Sequence, residues 1–185
     1  MANAINKVKA DNTVELAFKH ALTQVNFSVK LMNKSTKYTV TNITLSGIAN
    51  KSTLTYQGTT TSICGTWSTP TGSESYAYDF ATNGITTAGV EPTTDAEVTN
   101  LSTATNSLML LPQTFSGSAK ISVTYSAEIG GEITYNDTKE IVLDGAWEVG
   151  QKVRYTLELT NDAKAVGFTT TFGEWGNETT GAVVN

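Results

Sequence analysis

The sequence predicts an all-β sandwich of about seven or more mostly antiparallel strands with long loops. Three observations carry this expectation. Short apolar–polar alternations recur along the chain, most cleanly at Ile121, Val123, Tyr125, Ala127 and Ile129 and at Val153, Tyr155, Leu157 and Leu159. Turn residues such as Asn33-Lys-Ser-Thr36, Gly130-Gly131 and Asn161-Asp162 separate them. No segment of useful length repeats its apolar residues at helical spacing, and no internal repeat of roughly 20–50 residues is present.

Composition sets the outer bounds. The chain has 185 residues, 39% hydrophobic and 16% charged, enough apolar content for one substantial core. Thr, Val, Tyr and Ile are abundant, which favours strands. The net charge is −5 and no basic cluster occurs, so a nucleic-acid partner, which needs Lys and Arg against phosphates, is not expected. Cys64 is the only cysteine, so the chain cannot form an internal disulfide. No run reaches the roughly 18 apolar residues of a membrane span. The opening Met1-Ala-Asn-Ala-Ile-Asn-Lys-Val-Lys9 is polar and lacks the charged-then-apolar pattern of a signal peptide.

Taken in order, residues 1–12 read as a polar leader or linker. A sandwich domain is expected over 13–176, and a tail over 177–185. The first strand pair spans roughly 13–19 and 24–32. Val14, Leu16, Phe18, His20 and Leu22 share one parity, and Val25, Phe27, Val29 and Leu31 the other. Such a flip requires a bulge, a corner or a helical turn between Leu22 and Val25. Lys37 to Gly47 reads as a long strand with a second parity change, from Tyr38 and Val40 to Ile43 and Leu45. Thr53 to Gln57 is a short strand. Gly58 to Ser75 is a Thr/Ser/Gly loop holding Ile63, Cys64 and Trp67, with room for one short strand. Tyr76, Tyr78 and Phe80 alternate.

Ala81 to Thr105 is a long segment of low hydrophobicity, with a short helix expected near Asp95-Ala-Glu-Val98. Leu108-Met-Leu-Leu-Pro-Gln113 suits a strand buried on both faces and ended by Pro112. Residues 121–129 and the strand of Ile133 and Tyr135 form a hairpin about Gly130-Gly131. Ile141-Val-Leu143 reads as a separate short strand. Strands through Val153–Leu159 and Val166–Phe172 close the pattern before Trp175.

Catalytic chemistry finds little purchase. His20 is the only histidine and no Gly-x-Ser-x-Gly elbow is present, so a triad has no local support. Its position on the face of Val14, Leu16 and Phe18 reads as a structural corner histidine. One His and one Cys, far apart, do not make a transition-metal site. The acidic loops at Glu91, Asp95 and Glu97 and at Asn136-Asp137 with Glu140 lack calcium-loop spacing. No Gly-rich phosphate loop occurs. No pair of carboxylates stands out for glycosidase work. No catalytic, cofactor-binding or metal residues are therefore assigned, and no cofactor is expected. Among the aromatics, Tyr76, Tyr78 and Phe80 are best explained by core packing. Trp67, alone in its polar loop, is the candidate ligand-loop aromatic. The seven Asn-x-Ser/Thr sequons match chance in a chain this rich in those residues.

Several stretches together resemble the fimbrillin family of Bacteroides-type bacteria, the subunits of surface fimbriae. Leu16-Ala-Phe-Lys-His-Ala-Leu-Thr-Gln-Val-Asn-Phe-Ser-Val29 resembles the family's Phe-x-His-Ala-Leu segment leading into a strand. Tyr38-Thr-Val-Thr-Asn-Ile-Thr-Leu-Ser-Gly47 is similar to the strand that follows. Leu108-Met-Leu-Leu-Pro-Gln-Thr114 resembles its Leu-hydrophobic-Pro-Gln signature. Trp147-Glu-Val-Gly-Gln-Lys-Val-Arg-Tyr-Thr-Leu-Glu-Leu159 resembles its penultimate strand, with Val153 at the first aromatic position, and Trp175 fits the ending.

The resemblance implies a transthyretin-like β-sandwich. It also implies that this chain corresponds to the second of two such domains, without a counterpart here for the first domain or the lipid-anchoring cysteine. It implies a non-catalytic fimbrial subunit at the cell surface or outer membrane, assembled with other fimbrial subunits by β-strand exchange. Membrane contact would run only through that lipid anchor. Exposed sheet edges are templates for such pairing. Ala182, Val183 and Val184 in the tail are the candidate donor-strand residues. The alternatives are an adhesin module that binds a host surface protein or glycan through the loops at 58–75 and 81–105 and, remotely, a hydrolase.

Overall fold

The computed structural model of the chain describes residues 19–56, 65–78, 96–102, 107–162, 167–174 and 177–179. In chain order its strands are β1 (Thr23–Leu31), β2 (Lys37–Ile48), β3 (Leu54–Thr55), β4 (Thr66–Trp67), β5 (Glu74–Tyr78), β6 (Glu97–Asn100) and β7 (Leu108–Leu110). They continue with β8 (Gln113–Thr114), β9 (Lys120–Ile129), β10 (Glu132–Val142), β11 (Ala146–Trp147), β12 (Gln151–Leu159), β13 (Phe168–Glu174) and β14 (Asn177–Thr179). No described residue is helical.

One sheet runs β14-β13-β12-β1-β6, with β7 also paired to β1, and the other runs β10-β9-β2-β5. Two small ribbons, β3–β4 and β8–β11, lie outside them. The alternating residues face inward and form one core. β1 and β12 contribute Val25, Phe27, Val29, Leu31, Val153, Tyr155, Leu157 and Leu159. β2 and β9 contribute Tyr38, Val40, Ile43, Leu45, Ile48, Ile121, Val123, Tyr125 and Ala127. Phe27 of the first sheet meets Tyr78 of the second edge-on, with ring centroids 5.6 Å apart. Two tyrosine hydroxyls tie the layers at the backbone: Tyr78 donates to Leu101 O (3.3 Å) and Tyr125 to Thr160 O (3.1 Å). This is an all-β sandwich.

Among the described residues all pairings but one are antiparallel. β1 and β12 run parallel and in register from Gln24↔Lys152 to Leu31↔Leu159. The opposite edge of β1 is shared: β7 pairs with Thr23–Val25 and β6 with Ser28–Leu31. Between them the Phe27 backbone is satisfied by its N–H donating to Ser102 Oγ (2.7 Å) and its carbonyl accepting from Leu101 N (3.0 Å) and Ser102 N (3.1 Å). β1 is therefore bonded along both sides, which explains its burial from Thr23 through Val29.

The parity change inside β2 is a β-bulge. Val40 pairs with Tyr125 and Asn42 with Thr124, so Thr41 is the extra residue. The bulge puts Tyr38 and Val40 on the same side as Ile43 and Leu45, and all four are buried. The Gly130-Gly131 hairpin forms as expected, with φ of 58° and 89°, the left-handed values a two-residue turn demands.

Four expectations change. Residues 97–100 are strand, not helix: Ala96 turns at φ 60° and the ladder partners Ser28–Leu31 capture the segment. Met109 of β7 is 42% exposed, because Leu110 is in the core and Leu108 packs against it while Met109 points to the other face, so the run is not buried on both faces. Ile141-Val142 is not a separate strand but the end of β10, held by Ile121 and Lys120 across the ladder. Lys19 and His20 are exposed and outside any strand, whereas His20 was expected to share a face with Val14, Leu16 and Phe18, which lie outside the described residues. The strand expected over 13–19 and the position of Phe80 lie outside the described residues, apart from Lys19.

Tyr155 yields a test of the core. Its ring is buried, and its hydroxyl accepts from Trp147 Nε1 (2.8 Å). Burial pushes its pKa up to about 12, opposed by the Trp147 hydrogen bond. In the unfolded chain a tyrosine ionises near pH 10, so the folded state holds the proton longer. Stability from this group is complete below pH 10 and declines as pH rises to about 12. Urea titrations between pH 9 and 12 are expected to show a loss of about 3 kcal/mol from this site. Tyr155→Phe should flatten the slope without removing it, since burial raises Tyr78 and Tyr125 as well.

Candidate functional site

Function in a sandwich without clustered chemistry resides in its loops and edges, so the geometry of both decides what the chain can do. Among the described residues, no group of three or more His, Cys, Asp or Glu could hold a metal ion. No described helix is long and apolar enough to cross a membrane.

Trp67 sits in β4 opposite Leu54 of β3. Its indole Nε1 donates to Ala21 O at 2.8 Å, just before β1 begins. The side chain is half-buried, so its polar end is committed to holding the ribbon against the start of β1. The ribbon is knit by Ser68 N donating to Thr53 O (2.9 Å), Thr53 N to Ser68 Oγ (2.9 Å) and Ser52 Oγ to Ser68 O (2.7 Å). Gly65 turns at φ 77°, where a Cβ would come within 2.4 Å of Thr55 O, so only glycine fits.

Gln113, buried at the end of the Leu-Leu-Pro-Gln run, fixes the base of that ribbon. Ala49 N donates to its Oε1 (2.8 Å), while its Nε2 donates to Ala49 O (3.3 Å) and Leu111 O (3.1 Å). The side-chain amide stands in for a strand partner at the end of β2.

The outer face of β1 carries a polar row. Gln24 Nε2 donates to Ser107 Oγ (2.7 Å), which donates to Asn26 Oδ1 (2.7 Å). Ser28 Oγ donates to Asn100 Oδ1 (2.8 Å), and Arg154 Nη1 donates to Ser28 Oγ (3.1 Å) and Asn100 Oδ1 (3.3 Å). Lys30 and Glu158 pair at 2.9 Å. Asn26 and Ser28 are 2% and 0% exposed, so this row is internal structure and not a ligand surface.

The edges differ. β10 is long and exposed, but it carries features that discourage strand addition. Its register shifts between Ile133 and Tyr135. Asp137 and Lys139 lie opposite the core residues Tyr125 and Val123, hence on the core side of the sheet, and Lys139 Nζ sits 4.8 Å from the Tyr135 ring centroid. Lys120 and Glu140 pair at 2.8 Å across the hairpin. β6 and β7 are short. At the other end of that sheet, β14 pairs only with Phe172–Glu174, leaving Phe168–Thr171 without a ladder partner on that side among the described residues. Ala182, Val183 and Val184 lie outside the described residues, as does Cys64.

With this geometry in place, the family comparison decides the assignment: a model of the family described as fimbrillin-like matches residues 1–175. The chain belongs to the fimbrillin-like family. Its fold is similar to the crystal structure of a fimbrial protein from Bacteroides vulgatus ATCC 8482, with TM-score 0.58 and 21% identity over 88% of this chain and 56% of that one. A putative cell adhesion protein from Bacteroides uniformis ATCC 8492 is similar at TM-score 0.47 and 15% identity, over 91% of this chain and 56% of that one. Another from Bacteroides ovatus ATCC 8483 reaches 0.39 and 14%, over 94% and 49%. The fimbrillin-like chain thus spans about half the length of these structures. No curated protein matches it.

The sequence offered Trp67 as a candidate ligand-loop aromatic, and the structure gives it an anchoring hydrogen bond. Sequence reasoning missed that Gln113 braces the end of β2. Only its place in the Pro-Gln run of the fimbrillin-like chain pointed to it. Gln113→Ala is expected to cost about 1–3 kcal/mol, because the Ala49 N–H loses its partner. Chemical denaturation reads this, and an unchanged midpoint would remove the bracing role.

Proposed function

We propose that the chain is a non-catalytic structural or accessory (tip or anchor) subunit of a bacterial surface fimbria. It assembles with other fimbrial subunits by β-strand exchange and supports adhesion at the cell surface. The observation that carries this reading is membership of the fimbrillin-like family over residues 1–175, on a sandwich similar to a Bacteroides vulgatus fimbrial protein. The distribution of edges supports it further: β10 carries charges and a bulge, whereas Phe168–Thr171 of β13 have no ladder partner on their outer side among the described residues. Main-chain hydrogen bonds to such an edge supply affinity, and alternating side chains supply specificity. The donor is the tail, with Ala182, Val183 and Val184 as its apolar residues.

The second reading, an adhesin that binds a host protein or glycan around Trp67, has weaker support. A ligand that used the indole N–H would have to break its bond to Ala21.

Deletion of residues 176–185 tests the leading proposal. Incorporation into fibres, or self-association followed by light scattering, is expected to fall by about tenfold or more. Unchanged assembly would remove the tail as donor.

A further inference from the structure

At two places a peptide N–H donates to the carboxylate of the residue just before it. Gly145 N donates to Asp144 Oδ1 at 2.7 Å, and Thr138 N donates to Asp137 Oδ1 at 2.7 Å. In each, the nitrogen, the carboxyl carbon and the three atoms between them are the members of a five-membered imide ring not yet closed. Holding a nucleophile against its target in this way turns a search into a local closure.

The two places differ in what resists closure. Asp137 and Thr138 lie within β10, paired with Tyr125 and Thr124 of β9, and the branched Thr138 side chain crowds the nitrogen. Asp144 and Gly145 lie between β10 and β11, and both are exposed. Gly145 has no side chain, nothing lies within 4 Å of where a Cβ would stand, and its φ of 82° is a conformation glycine adopts readily. The fold anchors the chain on either side of this peptide. Leu143 N donates to Ala119 O (2.8 Å), and Gly145 O accepts from Phe115 N (2.9 Å). The β11 ladder begins one residue later, at Ala146↔Thr114. Turning the Gly145 nitrogen's open face toward Asp144 Cγ therefore releases the bond to the neighbouring carboxylate and breaks no ladder bond.

We propose that Asp144-Gly145 is a site of spontaneous backbone modification, at which the Gly145 nitrogen attacks Asp144 Cγ and the chain passes through a cyclic imide to isoaspartate. The N–Cγ bond forms, a Cγ–O bond breaks, the nitrogen gives up its proton, and one water leaves. Water then adds back to either imide carbonyl. Opening at Cγ restores aspartate. Opening at the main-chain carbon leaves the backbone running through Cγ, an isoaspartate of unchanged mass. Water is the sole co-reactant. Conversion adds a methylene between the anchors at Leu143 N and Gly145 O. The distortion falls on the Phe115–Gly145 hydrogen bond, on the Phe115 ring that meets Trp147 edge-on at 4.7 Å, and on the Gln113↔Trp147 pair. The modification thus loosens the ribbon from which Gln113 braces β2, whatever the chain assembles with.

Ageing the purified chain at physiological temperature and pH tests the site. Peptide mapping with electron-transfer fragmentation reads isoaspartate residue by residue, apart from deamidation at Asn83-Gly84, which changes the mass. Isoaspartate at Asp144 is expected to accumulate about tenfold or more faster than at Asp137. It should form at least as fast in the folded chain as in a synthetic peptide of residues 140–150. Asp144→Asn, with a better leaving group, should convert faster through the same ring and release ammonia. Equal accumulation at Asp137, a folded chain slower than the peptide, or an unchanged rate in Asp144→Asn would each overturn the proposal. Converted protein should lose hydrogen-exchange protection at the Phe115 amide, and retained protection there would overturn the effect on the ribbon.

Discussion

Everything in this sandwich leans on one strand held along both of its sides. β1 runs parallel to β12 through Leu31↔Leu159 and antiparallel to β7 and β6 across its other edge. Its inner residues Val25, Phe27, Val29 and Leu31 lie in the core. Its outer residues Gln24, Asn26 and Ser28 are nearly as buried, and each is hydrogen-bonded. Burying such groups unpaired would cost free energy, so the network through Asn100, Ser107 and Arg154 is a condition of the fold. It also draws residues distant in sequence to one place, since β6, β7 and β12 must all be present before β1 is satisfied.

That arrangement divides the molecule into a fixed centre and variable margins. Strands at the centre are bonded on both sides and cannot be exchanged without unfolding. The margins are where a partner can act. β10 bears a bulge and core-side charges. The β6–β7 edge is broken into short pieces around Leu101 and Ser102. β13 carries the partly covered Phe168 and Phe172, and β5, at the edge of the second sheet, carries the partly covered Tyr76.

Much of the sandwich was legible in the sequence because strand side chains alternate strictly. The shift from Tyr38 and Val40 to Ile43 and Leu45 announced the bulge that the structure places at Thr41. Gly130-Gly131 announced its hairpin through the conformations only glycine adopts freely. Long-range pairing was not legible. Asp95-Ala-Glu-Val98 suits a helical turn locally, and only the open edge of Ser28–Leu31 makes it strand. The burial of Gln24, Asn26 and Ser28 has no signal in parity, because their partners come from other parts of the chain. Trp67 stood out in its loop, but nothing local revealed that Ala21 O awaited its N–H.

Native-state hydrogen exchange, resolved by residue, tests the central claim most directly. If β1 is the fixed centre, the β1 amides with the slowest exchange, Phe27 among them, should exchange only through global unfolding, with an opening free energy equal to that from urea denaturation. Amides of Asn177–Thr179 should exchange through a local opening of much lower free energy. A β1 that opens as readily as β14 would contradict the account.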